Sequence, residues 1–198
     1  HHDAERNPFM SALLRGELPR SGYTDMLAQH AYAYEVLESP SPEVAEDPVV
    51  APFAHPGLLR TEALIADLTD LVGPDWRTVH PAIPATERYV ERLREVGSTW
   101  PGGYIAHHYT RYLGDLSGGQ AIKRMMQRHY GMAEEGLAFY TFTQIAKIPP
   151  YKAAYRTALD ELPLDEAGRE RLVAEARAAF RYNEAVFIEL GRQFRPAA

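Results

Sequence analysis

No cysteine occurs among the 198 residues. Disulfides, thiolate metal sites and a cysteine nucleophile are therefore excluded. No apolar run approaches the ~20 residues a bilayer-spanning helix needs, and no secretory apolar stretch is visible. A cationic excess is missing too. Lys and Arg number 21 against 27 Asp and Glu, a formal net charge of -6, which speaks against a general nucleic-acid partner and leaves room only for local basic faces. Alternating strand patterns and internal repeats are also absent. What is present is ordinary globular composition, 45% hydrophobic and 24% charged, in a chain long enough to bury a core without staples. A cysteine-free chain suits the cytoplasm. The first residue is His rather than Met, so a removed segment upstream is expected, and a missing terminal tail is equally compatible with the sequence.

Helical periodicity runs throughout. A first helical piece from His1 is expected to break near Pro8, followed by the short amphipathic segment "FMSALLRGEL". Ser21 is the expected N-cap of "GYTDMLAQHAYAYEVLES". The stretch "PSPEVAEDPVVAP", with four prolines, reads as a loop. Beyond it, "LLRTEALIADLTDLV" closes at Gly73-Pro74, and "PATERYVERLREVG" ends at Gly97. The longest run begins at Pro101 and stops at Gly131. Pro149 and Pro150 open a helix to about Glu161, and a last helix runs from about Asp165 to Gln193. The expectation is an all-α fold in one domain spanning 1–198.

Within the longest run, "YLGDLSGGQAIKRMM" contains three glycines, each costing roughly 1 kcal/mol relative to Ala in a helix interior. Gly114, Gly118 and Gly119 are spaced i, i+4, i+5 and share a side of the helix. A side without Cβ atoms admits a close approach to the backbone and makes a kink inexpensive. Close helix–helix packing is the ordinary use of such a side. Asp115 beside it, with Arg111 four residues earlier, suits dry packing poorly.

"RYLGDLSGGQ" resembles the distal-helix signature of the heme oxygenases, and "AERNPFMSALLRG", "AYAYEVLE", "YKAAYR" and "FRYNEAVFIELG" follow that family's order and spacing. The resemblance covers nearly the whole chain. It implies a helical fold holding heme b between a proximal helix and the glycine-rich distal helix. The implied reaction cleaves heme to biliverdin, CO and ferrous iron, using O2 and electrons from a ferredoxin or a flavoprotein reductase. Gly114, Gly118 and Gly119 would let the helix backbone lie on the heme face.

The resemblance implies His1 as the iron ligand, since the family's proximal His stands three before an Ala-Glu pair and eight before Phe-Met, here Ala4-Glu5 and Phe9-Met10. Glu5 stands at i+4 from His1 and can accept its second N–H, whereas His2 has Arg6 there. A terminal His pair is also what a purification tag leaves. The family carries a helical turn or two before this His, with a basic residue near the propionates, and the sequence starts at the His itself.

Lys152, Arg156 and Tyr109 match the family's propionate-binding positions. As bare sequence, Lys152 and Arg156 at i, i+4 form a solvated basic face. Phe180 and Asn183 match pocket-lining positions, and Tyr34 matches a tyrosine of the distal water network. Asp115, acting through an ordered water, is the implied proton source, with Arg111 holding it ionised. His30, His55, His80, His107, His108 and His129 read as ordinary histidines. Phe187 reads as core, and Lys123, Arg124 and Arg128 as facing solvent or a redox partner. The expected protein is a monomer without nucleic-acid or membrane partners, serving iron acquisition ahead of pigment synthesis. The rival reading is a non-catalytic heme carrier or sensor, for which Asp115 and Arg111 would be superfluous.

Overall fold

Proline placement sets many of the helix starts. The computed structural model describes residues 7–194, so His1 and Glu5 lie outside the described residues. Within them, α1 is Pro8–Leu14, α2 Arg20–Leu37, α3 Pro42–Ala45, α4 Thr61–Leu71, α5 Trp76–Val79, α6 Pro84–Thr99, α7 Pro101–Tyr130, α8 Ile148–Asp160 and α9 Glu166–Gln193. Prolines occupy the first turn of α1, α3, α6, α7 and α8, where a fixed φ and a missing N–H cost nothing. Single 3₁₀ turns lie at Ala51–Phe53, Pro56–Leu58 and Ala138–Tyr140. No strand occurs among the described residues.

Several boundaries differ from expectation. Pro8 opens α1, with Asn7 extended before it and its side chain capping the helix by accepting from Phe9 N at 3.0 Å, while the expected helical piece from His1 lies outside the described residues. Ser21 is not a cap: Pro19 is extended, so the helix begins at Arg20 and Ser21 falls inside the first turn. The proline-rich stretch contains α3, which Ser41 caps at Val44 N. Gly97 lies within α6, buried against Pro40, because the helix continues to Thr99. The four-residue α5 has no periodic signal of its own. α7 ends as expected at Gly131, whose φ of 61° is open to glycine at little cost.

One contiguous apolar cluster runs from Phe9 to Leu190. α2 is buried along most of its length and packs against α4 and α6, while α9 lies against α7, α6 and α1. Two polar ties fix α7 within this frame. Glu175 of α9 receives Arg92 of α6 through both Nε and Nη2, at 2.9 and 2.7 Å, and meets His107 Nε2 at 2.8 Å. A carboxylate can only accept, so His107 Nε2 carries the proton. These bonds, His107 first and Arg92 second, hold the Glu175 carboxyl down at about 2. The second tie is Asp67 of α4, whose two oxygens accept from Ala138 N and Phe139 N at 2.8 Å each. That contact seats the 3₁₀ turn of the α7–α8 connector beside α7.

Replacing Glu175 with Ala leaves Arg92 and the fully buried His107 without their shared acceptor, and should cost about 3 kcal/mol in urea unfolding at pH 7. Because folding lowers this carboxyl, its contribution is fully present above the unfolded value of 4.5 and fades as pH falls toward about 2. The gap between wild type and Glu175→Ala should therefore narrow in acid.

Candidate active site

The residues with chemistry gather on the middle turns of α7. Arg111 is 6% exposed, and a buried guanidinium must find compensating electron density. Its Nη1 donates to Asn183 Oδ1 of α9 at 2.5 Å, and the Asn183 amide is oriented by its own bond to Ala179 O at 2.8 Å. The guanidinium lies over the Tyr34 ring, 4.7 Å from its centroid. Tyr34, buried in α2, donates its hydroxyl to Asp115 Oδ2. No ion pair joins Arg111 to Asp115 among the described residues, so Arg111 acts on that carboxylate through its field and through Tyr34.

Desolvation pushes the Asp115 carboxyl up to about 6, against the pull of Arg111 and of the Tyr34 hydrogen bond. Nε and Nη2 of Arg111 are buried without a hydrogen-bond partner in the protein. Beside Arg111 is a cavity of about 10 Å³ walled by Gln29, His30, Tyr89, Asn183 and Phe187 among others, the size of one water. His30 stays neutral there, because burial and then Arg111 push its imidazole well down.

The three glycines separate. A Cβ at Gly114 or at Gly118 would meet no heavy atom of the described residues within 4 Å. At Gly119 it would strike Tyr140 Cδ1 at 3.0 Å. Gly119 sits about 100° around the helix from Gly118 and is buried, so it receives a tyrosine ring rather than sharing the open side. That corrects the expectation of one face for all three.

Elsewhere the expected residues are dispersed. Tyr109 and Phe180, the latter 41% exposed, line a cavity of about 490 Å³ between the end of α8 and the start of α9, with Leu159, Leu162 and Leu172. Lys152 is half-buried and Arg156 exposed on α8, outside the cluster around Arg111. Between them on that helix, Tyr155 is buried and hydrogen-bonds His108 Nδ1 at 2.7 Å. His107 and His108 are thus structural, as expected. Phe187 stacks on Phe9, consistent with a core role. Lys123 is not simply solvated, since it bonds Glu134 at 2.6 Å and Thr141 at 3.0 Å, while Arg124 and Arg128 are exposed.

Sequence reasoning missed Glu38. Its carboxylate accepts from Tyr112 at 2.7 Å, from Arg60 N at 2.6 Å and from Thr61 N at 3.0 Å, and so braces α7 one turn from Asp115. The signal available was its position four residues after Tyr34.

A bare helix face with a held carboxylate beside it forms a seat for a flat ligand. The heme oxygenase family model matches residues 1–189. The chain belongs to the heme oxygenase family. Its class, an oxidoreductase acting on heme, follows from that membership. Among curated relatives it is 42% identical over 193 residues to heme oxygenase 1 of Homo sapiens, covering 96% of this chain and 67% of the relative. It is 40% identical over 191 residues to heme oxygenase 1 of Nostoc sp., covering 96% and 80%. Among solved structures it is similar to heme oxygenase-1 of Synechocystis sp. in complex with heme, with a TM-score of 0.91, 35% identity, and coverage of 98% of this chain and 88% of that one. The all-α heme oxygenase fold is thereby established. The residues present fit the heme: Gly114 and Gly118 leave room against backbone, and Asp115 lies beside them. No helix among the described residues is long and apolar enough to cross a membrane.

The raised Asp115 carboxyl has a stability consequence. The folded protein holds this proton more tightly than the unfolded chain, so the burial penalty is absent below 3.8 and complete above about 6. Relative to Asp115→Asn, the ligand-free wild type should lose up to about 3 kcal/mol between pH 4 and 7. Urea unfolding of both proteins at those pH values checks this, and a gap independent of pH would contradict it.

Proposed function

We propose that this enzyme degrades heme to biliverdin, CO and ferrous iron with Asp115 as its proton source, seating the heme on the open glycine side of α7. The observation that carries this reading is the Tyr34-held carboxylate of Asp115 between Gly114 and Gly118, whose side faces are open. Bound heme supplies the iron and the ring that is cleaved.

The chain's own residues do the rest. His1 would hold the iron through one ring nitrogen, with Glu5 accepting from the other and fixing the tautomer. Lys152 and Arg156, with Tyr109, would hold the two propionates as charge-assisted partners. Phe180 would pack on the ligand. Tyr34 fixes which oxygen of Asp115 is engaged, and Arg111, positioned by Asn183, stabilises the anion left when the proton departs. A carboxyl near 6 can both hold a proton and release it at neutral pH. Passing it through an ordered water keeps the acid at one remove from the reacting oxygen, a gentler delivery than direct contact. A backbone open at Gly114 and Gly118 would also restrict, by sterics, how a bound ring turns toward Asp115.

We read the protein as a single-domain cytoplasmic monomer, fed with electrons by a ferredoxin or a flavoprotein reductase. Membership of the heme oxygenase family supports an external electron donor.

Asp115→Ala should bind hemin with a wild-type Soret band yet form biliverdin at least about 100-fold more slowly under a reductase system in air. Normal biliverdin yield from that variant would overturn the role of Asp115. A stable Soret band in the reduced wild type would favour the carrier reading.

A further inference from the structure

The hydroxyl of Tyr140 is buried, and no group among the described residues hydrogen-bonds to it. The residue itself is 1% exposed. Buried phenols nearly always find a partner, and leaving one without is costly. Everything else about Tyr140 would be served by phenylalanine. Its backbone carbonyl accepts from Gln120 Nε2 at 2.7 Å. Asp67 seats its turn through the two preceding amides. Its ring meets Phe139 edge-on at 4.9 Å and stacks near Tyr23 at 6.5 Å. The Tyr23 hydroxyl is the polar group nearest in kind and acts on the Tyr140 phenol, but it donates its one proton to Gly136 O at 2.9 Å, and the two hydroxyls do not meet in hydrogen-bond geometry. The phenolic oxygen is thus the one part of the residue that the packing does not use.

Its location suggests the use. The ring rests on Gly119, where a Cβ would come within 3.0 Å, and Asp115 stands one helical turn earlier on the same side of α7. Of the two Asp115 oxygens, Tyr34 engages Oδ2, and Oδ1 takes no hydrogen bond from the described residues. We propose that Tyr140 is a positioning residue for Asp115, its hydroxyl reaching Oδ1, the oxygen Tyr34 leaves free, through one intervening water. Gly119 is the residue that admits it, because any larger side chain there displaces the ring. The third glycine of the motif thereby serves the acid and not the heme. This inference rests on the proposed role of Asp115.

Several charged and titratable groups bear on this pair. Asp115 is faced by Arg111 from its own helix and Tyr34 from α2, with Arg60 and Glu38 acting at longer range. Tyr140 is faced by Asp115, Arg111, Tyr23 and, from α4, Asp67. A donor to Oδ1 favours the carboxylate over the acid, so removing it must raise the Asp115 midpoint.

The test is Tyr140→Phe, read by carboxyl ¹³C NMR titration of Asp115 in the ligand-free protein. The midpoint should rise by about 0.5 unit or more, the worth of one water-bridged bond. Gly119→Ala, which pushes the ring away, should move it in the same direction. An unchanged or lowered midpoint in Tyr140→Phe overturns the proposal. If that comes with a higher melting temperature, the hydroxyl is only a buried burden. Because the readout is a titration without heme, it stands or falls separately from biliverdin formation by Asp115→Ala.

Discussion

A buried cation is the constraint on which the rest of the site depends. Arg111 is nearly sealed inside the helix packing, with no carboxylate in contact. A guanidinium in that position is tolerable only if negative density surrounds it. Three neighbours supply it: the Asn183 carbonyl oxygen, the face of the Tyr34 ring, and the Asp115 carboxylate one turn along. Each of them is in turn fixed by something else, Asn183 by Ala179 O and Tyr34 by its bond to Asp115. The cation thus orders groups from α2, α7 and α9 around one point.

The same arrangement explains how one carboxyl can serve as an acid at neutral pH. Burial alone would hold Asp115 protonated far too tightly, and Arg111 in direct contact would ionise it outright. A cation near but not touching, plus a single phenol on one oxygen, leaves the group at about 6. The frame must be stiff for that balance to persist. Glu175 and Glu38 supply stiffness, one tying α7 to α6 and α9 and the other tying it to α2 and to the start of α4.

Much of this was legible in the sequence. Helix starts followed from proline and the end of α7 from Gly131, because those residues act through their own backbone. Ser21 misled because Pro19 two residues earlier decided the boundary. Gly114 and Gly118 were readable as an open face, since two glycines four apart in a helix have few other uses. Gly119 was not, because its neighbour Tyr140 is delivered by a connector whose position depends on Asp67, far away in the chain. Glu38 and Tyr112 escaped for the same reason, being 74 residues apart. Arg111 and Asp115 were singled out together, but their spacing could not reveal that Tyr34 stands between them. Local signals were visible, and tertiary partners were visible only where a family resemblance supplied them.

The central claim is that the bare backbone at Gly114 and Gly118 is the seat of the heme. Its most direct test is a spectral titration of Gly118→Phe with hemin, alongside its melting curve. A side chain there projects into open space in the ligand-free protein, so the account predicts a melting temperature near that of wild type and no stoichiometric Soret band. A wild-type Soret titration in that variant would contradict it and place the ligand elsewhere.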